Sequence, residues 1–165
     1  MSNPATTPRP VIRLAGEGET LSKGGEKLVL TLTGADTNDG FALIRRTVAP
    51  HFQSPPKPHA NTQEDWMAHV LSGRLVVQLE SGPVELGAGA TIFMPRGAYF
   101  RWWNPDATPA EALFLYTPAG FENFFRRLFE TIPAEAAQLH DWNKTLPGAL
   151  AANDAFNVVR KGEPA

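Results

Sequence analysis

Hydrophobic and polar positions alternate in short runs along most of the chain, the pattern of half-buried β-strands. It predicts strands at Val11–Leu14, Lys27–Thr33, Phe41–Val48, Trp66–Leu71, Arg74–Glu80, Pro83–Leu86, Thr91–Met94, Tyr99–Asn104 and Ala112–Thr117. Between the second and third of these, Thr37-Asn38-Asp39-Gly40 has the residue types of a β-turn. Gly73, Ser81-Gly82, and Gly87 with Gly89 punctuate the later runs at intervals too short for helical crossovers. The strands are therefore expected to run antiparallel, as a meander or Greek key. Gln53–Pro58 holds three prolines and no periodicity, and reads as a stiff loop.

After Gly120 the period lengthens. Phe121, Phe124, Phe125, Leu128 and Phe129 fall on one helical stripe, with Glu122, Arg126, Arg127 and Glu130 opposite. The balanced charges favour a helix packed across the strands over one lying on a membrane. Pro133 ends or kinks it, and a short helix is expected through Ala134–His140. The Gly- and Ala-rich stretch from Asn143 reads as a tail, with a last apolar group at Phe156, Val158 and Val159. The expectation is one all-β domain: a barrel over about 11–118, a helical segment over about 119–142 and a tail over 143–165.

Composition narrows the partners. At 165 residues the chain suits a single core. Fifteen Lys plus Arg against seventeen Asp plus Glu leave a charge of −2, too little cationic surface for nucleic acid. The absence of cysteine excludes disulfides, a thiolate nucleophile and Cys-ligated metal. MSNPATTPRP lacks the apolar core of a signal peptide, and no run nears the roughly 18 apolar residues of a membrane span. A cytoplasmic protein with a small-molecule partner is expected, without nucleic acid or membrane.

The chemistry concentrates between Pro56 and Asn104. Residues 58–73 read PHANTQEDWMAHVLSG, and residues 86–104 read LGAGATIFMPRGAYFRWWN. These resemble the two motifs of the cupins: H-x-H, three or four residues, E, six residues, G; then G, five residues, P-x-G, two residues, H, three residues, N. The matching positions are His59, Asn61, Trp66 and Gly73, then Gly89, Pro95, Gly97, Phe100 and Asn104. The flanks, including Thr37 to Val48 and TPAGFENFF at 117–125, resemble the quercetin-dioxygenase-like monocupins. The resemblance spans about residues 11 to 160 and implies a jelly-roll β-barrel with C-terminal helices.

Metal-bearing cupins hold a divalent ion through His, His, Glu and His. The corresponding residues here are His59, Asn61, Trp66 and Phe100. An amide is a weak ligand, an indole N–H only donates, and a phenyl ring offers nothing. Neither a metal nor another cofactor is expected. His51 and His69 are the remaining imidazoles near the motif, and alternation from Trp66 turns His69 outward.

Trp66 and Phe100 instead suggest an aromatic cavity. Ala68 would leave room beside Trp66, while Trp102 and Asn104 share the face of Phe100. The rings either fill the barrel or wall a pocket for a flat, apolar molecule. His59 is either a neutral base or a structural residue held by a backbone carbonyl; Asn61 would polarise a substrate oxygen. Arg46 shares a face with Ala42, Ile44 and Val48, and must meet a protein carboxylate or a ligand. Glu64 and Asp65 are expected at the rim as solvated carboxylates. Alternation does not decide whether Tyr99, Arg101 or Tyr116 looks inward.

The expected function is a metal-independent cupin enzyme that isomerises, dehydrates or cyclises an apolar or aromatic, polyketide-like metabolite. His59 and Asn61 would be catalytic; Trp66, Ala68, Phe100, Trp102 and Arg46 would bind substrate. A metal-dependent quercetin-dioxygenase-like oxygenase and a non-catalytic binding barrel stay open. Val11–Leu14 and the Phe121–Phe129 stripe are candidate surfaces for a homodimer.

Overall fold

The computed structural model describes residues 9–54, 57–133 and 142–162. Alternation becomes strand wherever one face can be buried. The strands are β1 (Glu19–Lys23), β2 (Glu26–Leu32), β3 (Ala42–Val48), β4 (His59–Asn61), β5 (Asp65–Ser72) and β6 (Arg74–Leu79). They continue with β7 (Gly82–Gly87), β8 (Thr91–Met94), β9 (Arg101–Trp103), β10 (Ala110–Thr117) and β11 (Val158–Arg160). The helices among the described residues are α1 (Gly34–Thr37), α2 (Glu122–Thr131) and α3 (Trp142–Ala155).

A six-stranded sheet runs β1-β2-β3-β10-β5-β8; a three-stranded sheet runs β7-β6-β9; β11 pairs with β4. All strand pairings are antiparallel. His59 and Phe100 exchange backbone hydrogen bonds of 2.9 Å in each direction, tying β4 to the approach to β9. Mostly strand in packed antiparallel sheets, this is a jelly-roll β fold. Inward positions match the period of two: Ala42, Ile44, Arg46 and Val48 on β3, Trp66, Ala68 and Val70 on β5, and Phe100 and Trp102 around β9 are all buried.

Gly73 makes the turn between β5 and β6. Its φ of +73° is open to glycine, and a Cβ there would lie 2.9 Å from the Ala110 backbone. Asn104 clamps the loop after β9. Its amide donates to the Val48, Ala49 and Thr108 carbonyls, and its Oδ1 accepts from the Asp106 N–H.

The helix read from the aromatic stripe packs across the barrel as expected: Phe121, Phe125 and Phe129 are buried in the core. The buried Glu122 carboxylate holds its start, accepting from the Gly34 N–H at 2.9 Å and the Gly120 N–H at 2.7 Å. Lys23 Nζ donates to the Phe129 and Ile132 carbonyls at its other end, where a cation suits the helix dipole.

Two expectations are corrected, on Val11–Leu14 and on the region from Asn143, and two others gain detail. Val11–Leu14 is not a strand: Ile12 and Leu14 are exposed and the first strand begins at Glu19, where pairing with β2 becomes possible. The Phe121–Phe129 stripe is packed on the barrel core rather than left as an open face. The region from Asn143 is not an element-free tail but carries most of α3 and all of β11. The turn at Thr37–Gly40 is preceded by a short helix, α1, capped by Thr33 and Asp36. The helix expected at Ala134–His140 lies outside the described residues. Among the described residues no helix is long and apolar enough to cross a membrane.

Candidate active site

The inward faces of β3, β4, β5 and β9, roofed by α2 and α3, enclose one cavity. It offers about 80 Å³ to the centre of a water molecule and about 720 Å³ of space free of protein atoms when its mouth is included. The larger figure includes the open space at the mouth; the enclosed part is small, and its wall is largely apolar and aromatic.

Ring contacts organise the wall. Trp66 and Phe100 stack face to face, with centroids 4.7 Å apart and planes 7° from parallel. His59 tilts against Phe100 at 4.8 Å. Phe114 meets Trp66 and Trp102 edge-on, at 5.3 and 5.4 Å. Above Trp102 lies the Arg46 guanidinium, 4.7 Å from the ring centroid. A continuous run of contacts therefore leads from His59 through four aromatic rings to Arg46.

His59, Asn61, Trp66, Phe100, Trp102 and Arg46 all line this cavity. Ala68 does not. It is wholly buried on the inward face, but its cross-strand partner is Phe114, whose ring takes up the room the small side chain leaves. Tyr116 does look inward and lines the cavity, whereas Tyr99 and Arg101 do not line it. His69 points outward as expected and shares a 2.8 Å hydrogen bond with Thr91 Oγ1. Ser54, Phe52, Phe124, Phe125, Ala149 and Asn153 also belong to the lining and were not foreseen.

Burial decides the protonation of His59. It lowers the imidazole pKa to about 4; a weaker influence of the Lys57 backbone works the other way. The ring is therefore neutral at ordinary pH. Nδ1 is buried without a hydrogen-bond partner among the described residues, and so is Trp66 Nε1. Asn61 is buried beside them and lines the same cavity. The wall of this mostly apolar cavity thus carries an imidazole, an indole and an amide side chain.

Arg46 is held by the protein. Its Nε donates to Glu26 Oε2 at 2.7 Å, and Glu26 Oε1 accepts the Ala49 N–H at 2.7 Å. Both side chains are almost wholly buried.

Glu64 corrects the expectation of a solvated rim carboxylate. It is 8% exposed, its Oε2 has no partner among the described residues, and burial pushes its carboxyl up to about 7 despite the nearby Arg96. Asp65 is solvent-facing and paired with Arg96 at 3.0 Å. Burial thus moves two groups in opposite directions. His59 favours folding most above the unfolded imidazole value of 6.5, and that contribution falls as pH drops toward 4. Glu64 contributes most below 4.5 and loses its contribution as pH rises through 7. Glu64→Gln removes the second loss. Its melting temperature should therefore gain on wild type by roughly 2–4 °C between pH 4.5 and pH 8, about 1 kcal/mol after solvent screening. Thermal unfolding at the two pH values checks this; an unchanged difference contradicts it.

A cupin barrel raises the question of a metal. The residues at the family's ligand positions do not fit one: Trp66 and Phe100 occupy two of them as a stacked pair, leaving one imidazole and one amide. Among the described residues no three His, Cys, Asp or Glu side chains converge as a ligand set.

Barrel and paired motifs define a cupin-type fold around an aromatic-walled cavity. Comparison with known proteins agrees: residues 44–116 match the cupin domain family. Among solved structures, the chain is similar to Pac13 from Streptomyces, a nucleoside dehydratase (20% identity over 70% of this chain and 88% of that one, TM-score 0.54). It is also similar to the polyketide cyclase RemF from Streptomyces resistomycificus (20% identity, 66% and 80% covered, TM-score 0.54). A third similar structure is KdgF from Halomonas sp. (13% identity, 70% and 99% covered, TM-score 0.60). At such identities the likeness is one of fold. No curated protein matches the sequence.

Proposed function

We propose that this protein is a metal-independent cupin enzyme that isomerises, dehydrates or cyclises a small, mostly apolar and ring-bearing metabolite. One observation carries the reading: a neutral, unpartnered imidazole nitrogen of His59 on the wall of a ring-lined cavity. Such a nitrogen accepts a proton from a bound molecule and returns it at another position, which is the elementary act of all three reactions. Asn61, two residues on along β4, supplies a hydrogen bond to the oxygen on which charge develops. The stacked Trp66–Phe100 pair and Trp102 fix the reactive pose of the substrate. That a dehydratase and a polyketide cyclase share the fold supports the class of chemistry. The departure of Asn61, Trp66 and Phe100 from the metal-binding cupin pattern argues against the oxygenase reading.

The pH profile tests the base directly. Since the ring stays neutral down to about 4, kcat/KM should hold level from pH 8 to about pH 5 and fall only below that. An acid limb centred near 6.5, the value of a solvated imidazole, would remove His59 from the role.

A further inference from the structure

We propose that Arg46 receives the carbonyl oxygen of an uncharged, planar ligand, which sets the substrate class of the cavity. The inference rests on the cavity being a ligand site, as the proposed function has it.

A guanidinium carries five N–H donors. One, at Nε, is given to Glu26 Oε2; no described residue accepts from the two terminal amino groups. The side chain is 6% exposed, and its cavity-facing end lies against Phe52 at 4.6 Å and Trp102 at 4.7 Å, which offer ring faces rather than lone pairs. The side chain lines the cavity among rings that cannot accept, so a bound molecule can supply the acceptor. The rings beneath the guanidinium favour a flat one that continues the aromatic wall.

Charge selects among acceptors. Glu26 is itself fully buried and already cancels the positive charge of Arg46. A carboxylate ligand would add a third buried charge to a neutral pair and lose its own hydration for little return. A ketone, amide or lactone oxygen loses far less and still takes two in-plane N–H bonds from the guanidinium fork. The geometry therefore selects an uncharged carbonyl compound, with the aromatic run separating its oxygen at Arg46 from the groups near His59.

Benzamide and benzoate, equal in shape and different in charge, test this on the whole chain at pH 7 by quenching of tryptophan fluorescence. Wild type should bind benzamide about ten-fold or more tightly than benzoate. Glu26→Gln, which keeps an oxygen for Arg46 while removing the charge, should shift the preference toward benzoate by about ten-fold or more. Benzoate binding by wild type as tight as benzamide overturns the assignment, as does a preference unmoved in a folded Glu26→Gln variant. Should that variant fail to fold by circular dichroism, the wild-type pair alone decides. Binding of both probes with the wrong preference defeats only the role of Arg46. Binding of neither at millimolar concentration defeats the cavity as a ligand site, and the functional reading with it.

Discussion

Replacing His59 by alanine should lower turnover by about two to four orders of magnitude while the barrel stays folded. The imidazole is buried and its Nδ1 has no partner among the described residues, so its removal costs the fold little beyond the contact with Phe100 and a backbone hydrogen bond at Lys57. What is lost is the one neutral nitrogen in the apolar wall that takes a proton at ordinary pH. Trp66→Ala acts differently. It removes the ring stacked on Phe100 and edge-on to Phe114, and should destabilise the fold by about 3–5 kcal/mol as a large core truncation. Kinetics of both variants, with circular dichroism as the control for folding, separates proton transfer from shape. If Trp66→Ala costs more turnover than His59→Ala while both remain folded, the cavity acts chiefly by enforcing a pose. Unchanged turnover in both places the chemistry elsewhere.

An equally large effect on stability is expected at Glu26. Glu26→Ala strips Arg46 of its carboxylate acceptor among the described residues and leaves the Ala49 N–H without its partner, both in the buried core. An orphaned buried charge costs about 3–5 kcal/mol. Replacing both partners by leucine should cost much less than Glu26→Ala, because the double variant leaves no charge behind. Chemical denaturation of the single and double variants measures the difference; equal losses would show that the pair is not coupled.

Much of the wall was legible in the sequence because strands have a period of two. Trp66, Phe100, Trp102 and Arg46 fall on inward faces by counting alone, and the cupin-like spacing places His59 and Asn61 beside them. Ala68 shows the limit of that counting. Alternation puts it inside, but only the register with β10 reveals that Phe114 fills the space opposite. The ion pair was anticipated without its partner. Glu26 stands at the first position of β2, where a lone carboxylate reads as solvent-facing until β3 brings Arg46 against it.

The roof was largely hidden for a different reason. Pro147 and Gly148 break any helical pattern, yet both lie within α3. Gly148 is required there: a Cβ would come within 2.8 Å of Thr131 Oγ1 on α2. The residue that reads as a helix breaker is the one that lets the two helices approach and bring Ala149 and Asn153 onto the cavity. Glu64 was misplaced because proximity to Asp65 suggested a shared solvent. The fold instead turns Asp65 out to Arg96 and buries Glu64.

The central claim is that His59 moves a proton on a bound carbonyl compound without help from a metal. Deuterium uptake at the carbon beside the carbonyl of small aryl ketones, followed by NMR in D₂O after exhaustive chelation, tests it most directly. The account predicts protein-dependent exchange that chelation leaves intact and that His59→Ala reduces by about a hundred-fold or more. Exchange that appears only when a divalent metal is added, or that persists undiminished in His59→Ala, would contradict it.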